Sequence, residues 1–150
     1  MVDVERGPGY LVKRVQQNLR RNCDAALRPT GLSMAQYTAL RALADHPQAS
    51  AAELARLCFV TRQSLQDVLT GLRADGLVEE SPGTQRGRAR ALQLTAAGKR
   101  RLSGAHAAVL GVENAMLNGM SVKAQRELAS LLLRCAENLE AASSETTIDR

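Results

Sequence analysis

Tryptophan is absent and aromatic residues make up only 2%, one Phe and two Tyr, so the core must be built from Leu, Ala and Val. Those residues form or tolerate helices, and the composition points to a mostly α protein. Cysteine is scarce and odd in number: Cys23, Cys58 and Cys135 lie far apart, form no C-x-x-C pair, and have only His46 and His106 to help them. Neither a disulfide framework nor a zinc site is supported, no cofactor is expected, and the thiols read as small buried hydrophobes. No apolar run approaches membrane-spanning length, and the N-terminus lacks the charged head, apolar stretch and small-residue cleavage site of an export signal. A cytoplasmic protein without membrane contact is expected. There is also no Gly-rich phosphate loop, no metal-ligand spacing and no Ser, His and Asp set in motif context, so the chain does not read as an enzyme.

Charge of one sign is missing from one long stretch. Between Ser81 and Val112 there is no Asp or Glu, while Arg86, Arg88, Arg90, Lys99, Arg100 and Arg101 all fall there. A second basic run holds Lys13, Arg14, Arg20, Arg21 and Arg28, and the whole chain carries +5. Polyanions are favoured over polycations as partners.

What is present is a sequence of helix signals. Leu11, Val12, Val15, Leu19, Cys23, Ala26 and Leu27 share one face of a helix from Tyr10 to about Leu27, which Pro29 and Gly31 stop. Ser33 with Gln36 and Ser50 with Glu53 are capping boxes, the first opening a helix that turns Tyr37, Leu40, Leu43 and Ala44 inward. Thr61 caps the next helix, whose stripe is Leu65, Val68, Leu69 and Leu72, and Gly76 occupies the left-handed position that ends it, followed by apolar Leu77. Leu77–Glu80 and Ala91–Leu94 read as two short strands of a hairpin. Thr95 caps a long helix to about Asn118. Ser121 opens a last one with Leu128, Leu131, Leu132, Cys135 and Leu139 on one stripe, and the tail from about Ser143 is expected to fray.

Helix, turn, helix, Gly stop and basic hairpin in this order describe a winged helix-turn-helix, a device for holding duplex DNA. With the Leu65 stripe inward, Gln63, Gln66, Asp67 and Thr70 point outward, flanked by Ser64. Gln suits the paired acceptor and donor of adenine, whereas Asp67 repels phosphate unless it accepts a hydrogen bond from a cytosine amine or pairs with an Arg. The free N–H groups after Ser33, Ser50 and Thr61 suit phosphate oxygens. Arg86, Arg88 and Arg90 alternate with small residues, so an extended wing turns all three to one face, toward phosphates or a narrow minor groove.

Gly31-Leu32-Ser33 before Gln36-Tyr37, then Glu53-Leu54-Ala55, Val60-Thr61-Arg62, Asp75-Gly76-Leu77-Val78 and Leu94-Thr95 with Gly98 resemble the MarR family of bacterial transcription regulators, from about Tyr10 to Leu139. The resemblance implies one domain over 1–150, with its winged helix at about 33–95. Dimerisation helices at about 10–28 and 96–141 would join a homodimer on a roughly palindromic operator. It implies a repressor that a small, often anionic aromatic effector releases, and it adds Arg62 to the DNA contacts. Arg14 is the candidate partner of an effector carboxylate. Counting back from Leu94-Thr95, Arg86 replaces the family's wing Asp and Arg88 matches its wing Arg. Phe59 stands in the turn where Gly is common, so that turn either avoids a left-handed residue or is strained. The alternatives are a protein-interaction module with altered DNA binding, which Asp67 and the changed wing motivate, and a thiol-based redox regulator.

Overall fold

A computed structural model describes residues 3–82 and 91–148. The chain runs α1 (Pro8–Leu27), α2 (Met34–Asp45), α3 (Ala51–Leu57), α4 (Arg62–Ala74), β1 (Val78–Glu80), β2 (Leu92–Leu94), α5 (Ala96–Met116) and α6 (Val122–Ile148). It divides into two compact units, Met1–Glu113 and Asn114–Arg150.

In the first unit, local chemistry sets the boundaries. Pro8 at the first position of α1 places its start two residues before the apolar pattern does. Both capping boxes form, with Ser33 Oγ accepting from Gln36 N at 3.1 Å and Ser50 Oγ accepting from Glu53 N at 3.2 Å. Gly76 has φ +71°; its N–H donates to the Arg73 carbonyl and that of Leu77 to the Leu72 carbonyl, so α4 closes in a Schellman motif. Thr95 has two tasks. Its hydroxyl accepts from Gly98 N, capping α5, and donates to the Gly76 carbonyl at 2.7 Å, fastening α5 to the end of α4.

Leucine dominates the core: Leu27, Leu40, Leu65, Leu72 and Leu77 are fully buried, joined by Leu54, Leu69, Leu94 and Leu102, with Ala39, Ala55, Ala105, Tyr37 and Val78 filling between them. Ala44, expected inward, is exposed on α2 and Ala42 is buried in its place. β1 and β2 pair antiparallel, Val78 opposite Leu94 and Glu80 opposite Leu92. Along the α1 stripe the N-terminal half is exposed, at Leu11, Val12 and Val15, while Cys23 and Leu27 are buried in the first unit's core.

In the second unit, Ser121 Oγ accepts from Ala124 N and caps α6. The expected fraying at Ser143 does not occur: the helix continues to Ile148, and the Ser143 and Ser144 hydroxyls donate to carbonyls four residues back. Leu131, Leu132 and Leu139 of its stripe are exposed, and so is Cys135, which was expected to be a buried hydrophobe.

Candidate nucleic-acid interface

α3 and α4 meet through a tight turn, Cys58–Val60, in which Cys58 N donates to the Leu54 carbonyl and Val60 N to the Ala55 carbonyl. Phe59 sits there at φ +55°, so of the two ways to build the turn the chain uses the strained one. Thr61 then caps α4, its Oγ1 accepting from Ser64 N at 3.1 Å. The caps at Ser33, Ser50 and Thr61 each use one N–H of their helix, leaving the earlier N–H groups of each first turn pointing outward.

α4 buries Leu65, Leu69 and Leu72, with Val68 half-buried, and the opposite side carries Arg62, Gln63, Ser64, Gln66, Asp67 and Thr70, all exposed. These side chains are not equally available. Gln63 Nε2 donates to Asp67 Oδ1 at 3.2 Å, so the carboxylate that repels phosphate is paired with an amide on its own helix rather than with an arginine. Thr70 Oγ1 donates to the Gln66 carbonyl at 2.8 Å, and the Thr61 hydroxyl donates to Ser64 Oγ. Among the described residues, the Gln66 amide makes no hydrogen bond. Arg86, Arg88 and Arg90 lie outside the described residues.

A family model described as MarR family matches residues 30–87. The HTH-type transcriptional repressor Rv2887 of Mycobacterium tuberculosis is 36% identical over 124 residues, 83% of this chain and 89% of that protein. The chain belongs to the MarR family. It is therefore a DNA-binding transcriptional regulator of winged helix-turn-helix fold, not an enzyme. Two solved structures of Rv2887 are 34% identical to this MarR regulator. One, in complex with salicylic acid, has a TM-score of 0.72 over 89% of this chain and 99% of that chain. The other, in complex with DNA, has a TM-score of 0.69 over 86% and 97%.

This MarR regulator also has a feature with no sequence signal. A groove of about 950 Å³ opens between the end of α2, the two strands and α5, with Arg41, Lys99 and His106 among its lining residues and Leu92 and Leu102 on its walls. Tyr37 Oη lies 3.1 Å from His106 Nδ1, and the two rings stack at 17°. The pair is 69 residues apart in the chain, beyond the reach of any local pattern. Arg41 is held by Asp45 at 2.9 Å, leaving Lys99 as the lysine in the groove lining. Arg14, the earlier effector candidate, lies exposed on α1. The Cys23 and Cys58 thiols are pushed above their ordinary pKa, chiefly by burial, which makes both poor nucleophiles at neutral pH.

Proposed function

We propose that this MarR regulator is a homodimeric repressor of a roughly palindromic operator, released by a small aromatic acid. What carries the reading is its 36% identity across most of both chains to a transcriptional repressor. Support for the dimer comes from apolar side chains that the single chain leaves in water, Val12 and Val15 on α1 and Leu131 and Leu139 on α6. A second copy is the natural cover for such stripes, and the dimer carries +10, twice the +5 of one chain.

In this reading α4 enters the major groove. The first-turn N–H groups after Ser33, Ser50 and Thr61 fix register on phosphates, while Arg86, Arg88 and Arg90 hold the flanking backbone or minor groove. The effector seats its carboxylate at Lys99 and its ring against Leu92 and Leu102. The support is that the similar Rv2887 has been solved with salicylic acid and with p-aminosalicylic acid, and that this groove joins cationic and apolar walls. Because the groove is walled by both strands and by α5, a ligand that fits only one setting of the hairpin shifts the protein toward that setting.

Fluorescence anisotropy with the DNA upstream of the chain's own gene tests the reading. Saturable binding is expected, weakened by millimolar salicylate, and Lys99→Ala is expected to remove that response while Arg14→Ala keeps it. No saturable binding at low salt sinks the proposal. Arg88→Ala is expected to flatten the dependence of affinity on salt by about one unit of slope per subunit without changing base preference.

A further inference from the structure

Phe59 is the only phenylalanine in the chain, and it stands where burial cannot explain it. Its side chain is almost wholly in water, at 93% exposure, and its backbone takes φ +55° in the α3–α4 turn. A left-handed non-Gly residue is strained, most of all a bulky one, and glycine relieves that strain. The fold thus bears a strained backbone and an exposed ring at once, and gains no packing in return. Such a combination is a reason to look for a role outside the fold.

The surroundings indicate which role. Phe59 lies two residues before Thr61, the cap of α4, so an α4 seated in the major groove brings this turn to the groove's edge. Arg56 and Arg62, both exposed, stand three residues before and after it, and no carboxylate lies between Glu53 and Asp67. A ring bracketed by two arginines that make no ion pair among the described residues suits a surface of apolar atoms edged by phosphates rather than an apolar protein surface.

We propose that Phe59 is a DNA contact, its ring packing on deoxyribose carbons and thymine methyl groups at the rim of the major groove while Arg56 and Arg62 take the adjacent phosphates. The inference rests on the DNA-binding role of α4. Apolar contact with thymine methyl is an established form of base readout, and partly burying one ring per subunit is consistent with roughly tenfold in affinity.

The experiment uses the full-length chain and a duplex selected for tight binding to it from a random library. Phe59→Gly should raise Tm by about 2–6 °C, because glycine accepts the positive φ. The same variant should bind the duplex about tenfold more weakly with an unchanged salt slope, since no phosphate contact is lost. Phe59→Tyr should keep the affinity. Replacing thymine by deoxyuracil in the duplex separates the two DNA surfaces: a wild-type loss matching that of Phe59→Gly places the ring on a methyl, and no loss places it on sugar. Wild-type affinity in Phe59→Gly overturns the proposal. So does a drop in Tm, which would show that the ring packs on the protein itself, or a change in sedimentation, which would put it between copies of the chain. Failure of the wild-type chain to select any duplex would instead count against DNA binding itself.

Discussion

Gly98→Ala is expected to destabilise the chain by about 3 kcal/mol, a loss of about 6–12 °C in Tm for a domain of this size. A Cβ built at Gly98 falls 2.0 Å from the Leu77 carbonyl oxygen and 3.0 Å from its carbon. Backbone cannot rotate away as a flexible side chain does, and Leu77 is fixed at both ends: its N–H donates to the Leu72 carbonyl and its carbonyl accepts from Thr95 N, both at 3.0 Å. The extra methyl must therefore move α5 off the end of α4, breaking the Thr95 cap or the core around Leu77. Helix propensity works the other way, favouring Ala over Gly by about 1 kcal/mol in a helix interior. Gly104→Ala, on the same helix with nothing within 4 Å of its Cβ, isolates that term and should stabilise by about 1 kcal/mol. Thermal melts of the two variants at one protein concentration check the pair. Equal and positive shifts would show that the close approach at Leu77 is relieved at little cost.

The contrast between these glycines marks the boundary of what the sequence conveys. Ser33 with Gln36, Ser50 with Glu53, Thr61 and Gly76 could be placed because each acts within a few residues of itself, and a cap or a left-handed stop carries its chemistry in its own side chain or lack of one. Gly98 is different: it could be marked as part of the Leu94-Thr95 family pattern, but its physical role is defined by a carbonyl 21 residues away, and no local chemistry separates it from Gly104. Tyr37 with His106 is the same case, as is Arg101, whose Nη1 donates to the Thr30 carbonyl at 3.0 Å. The apolar face of α1 was legible as a face but not as to what covers it. Periodicity specifies which side chains share a face, but not that Leu11, Val12 and Val15 on it are exposed while Cys23 and Leu27 are buried. Asp67 was legible as an electrostatic problem, yet its partner proved to be Gln63 one turn earlier, since a neighbour at i−4 on the same helix is always within reach. The candidate interface was thus readable residue by residue, whereas which of its groups are already engaged was not.

That engagement separates the two glutamines. Gln66→Ala is expected to weaken binding to a selected duplex by roughly 5- to 150-fold, the equivalent of about 1–3 kcal/mol for a bidentate contact with adenine. Gln66 lies mid-way along the exposed side of α4, and its amide keeps both donor and acceptor available among the described residues. Gln63 must instead either surrender its bond to Asp67 or recognise a base with what that bond leaves, so Gln63→Ala should cost less. A base-edge contact also has a distinct signature: the Gln66→Ala loss should vanish on an unrelated duplex, leave the salt slope unaltered, and relax preference at one position of each half-site. Removing a phosphate contact does the reverse, weakening all sequences alike and flattening the slope. Parallel titrations of both variants on selected and unrelated duplexes at several salt concentrations decide between these. An equal loss on both duplexes would move Gln66 from base recognition to backbone positioning and leave sequence choice to Gln63, Ser64 and the wing.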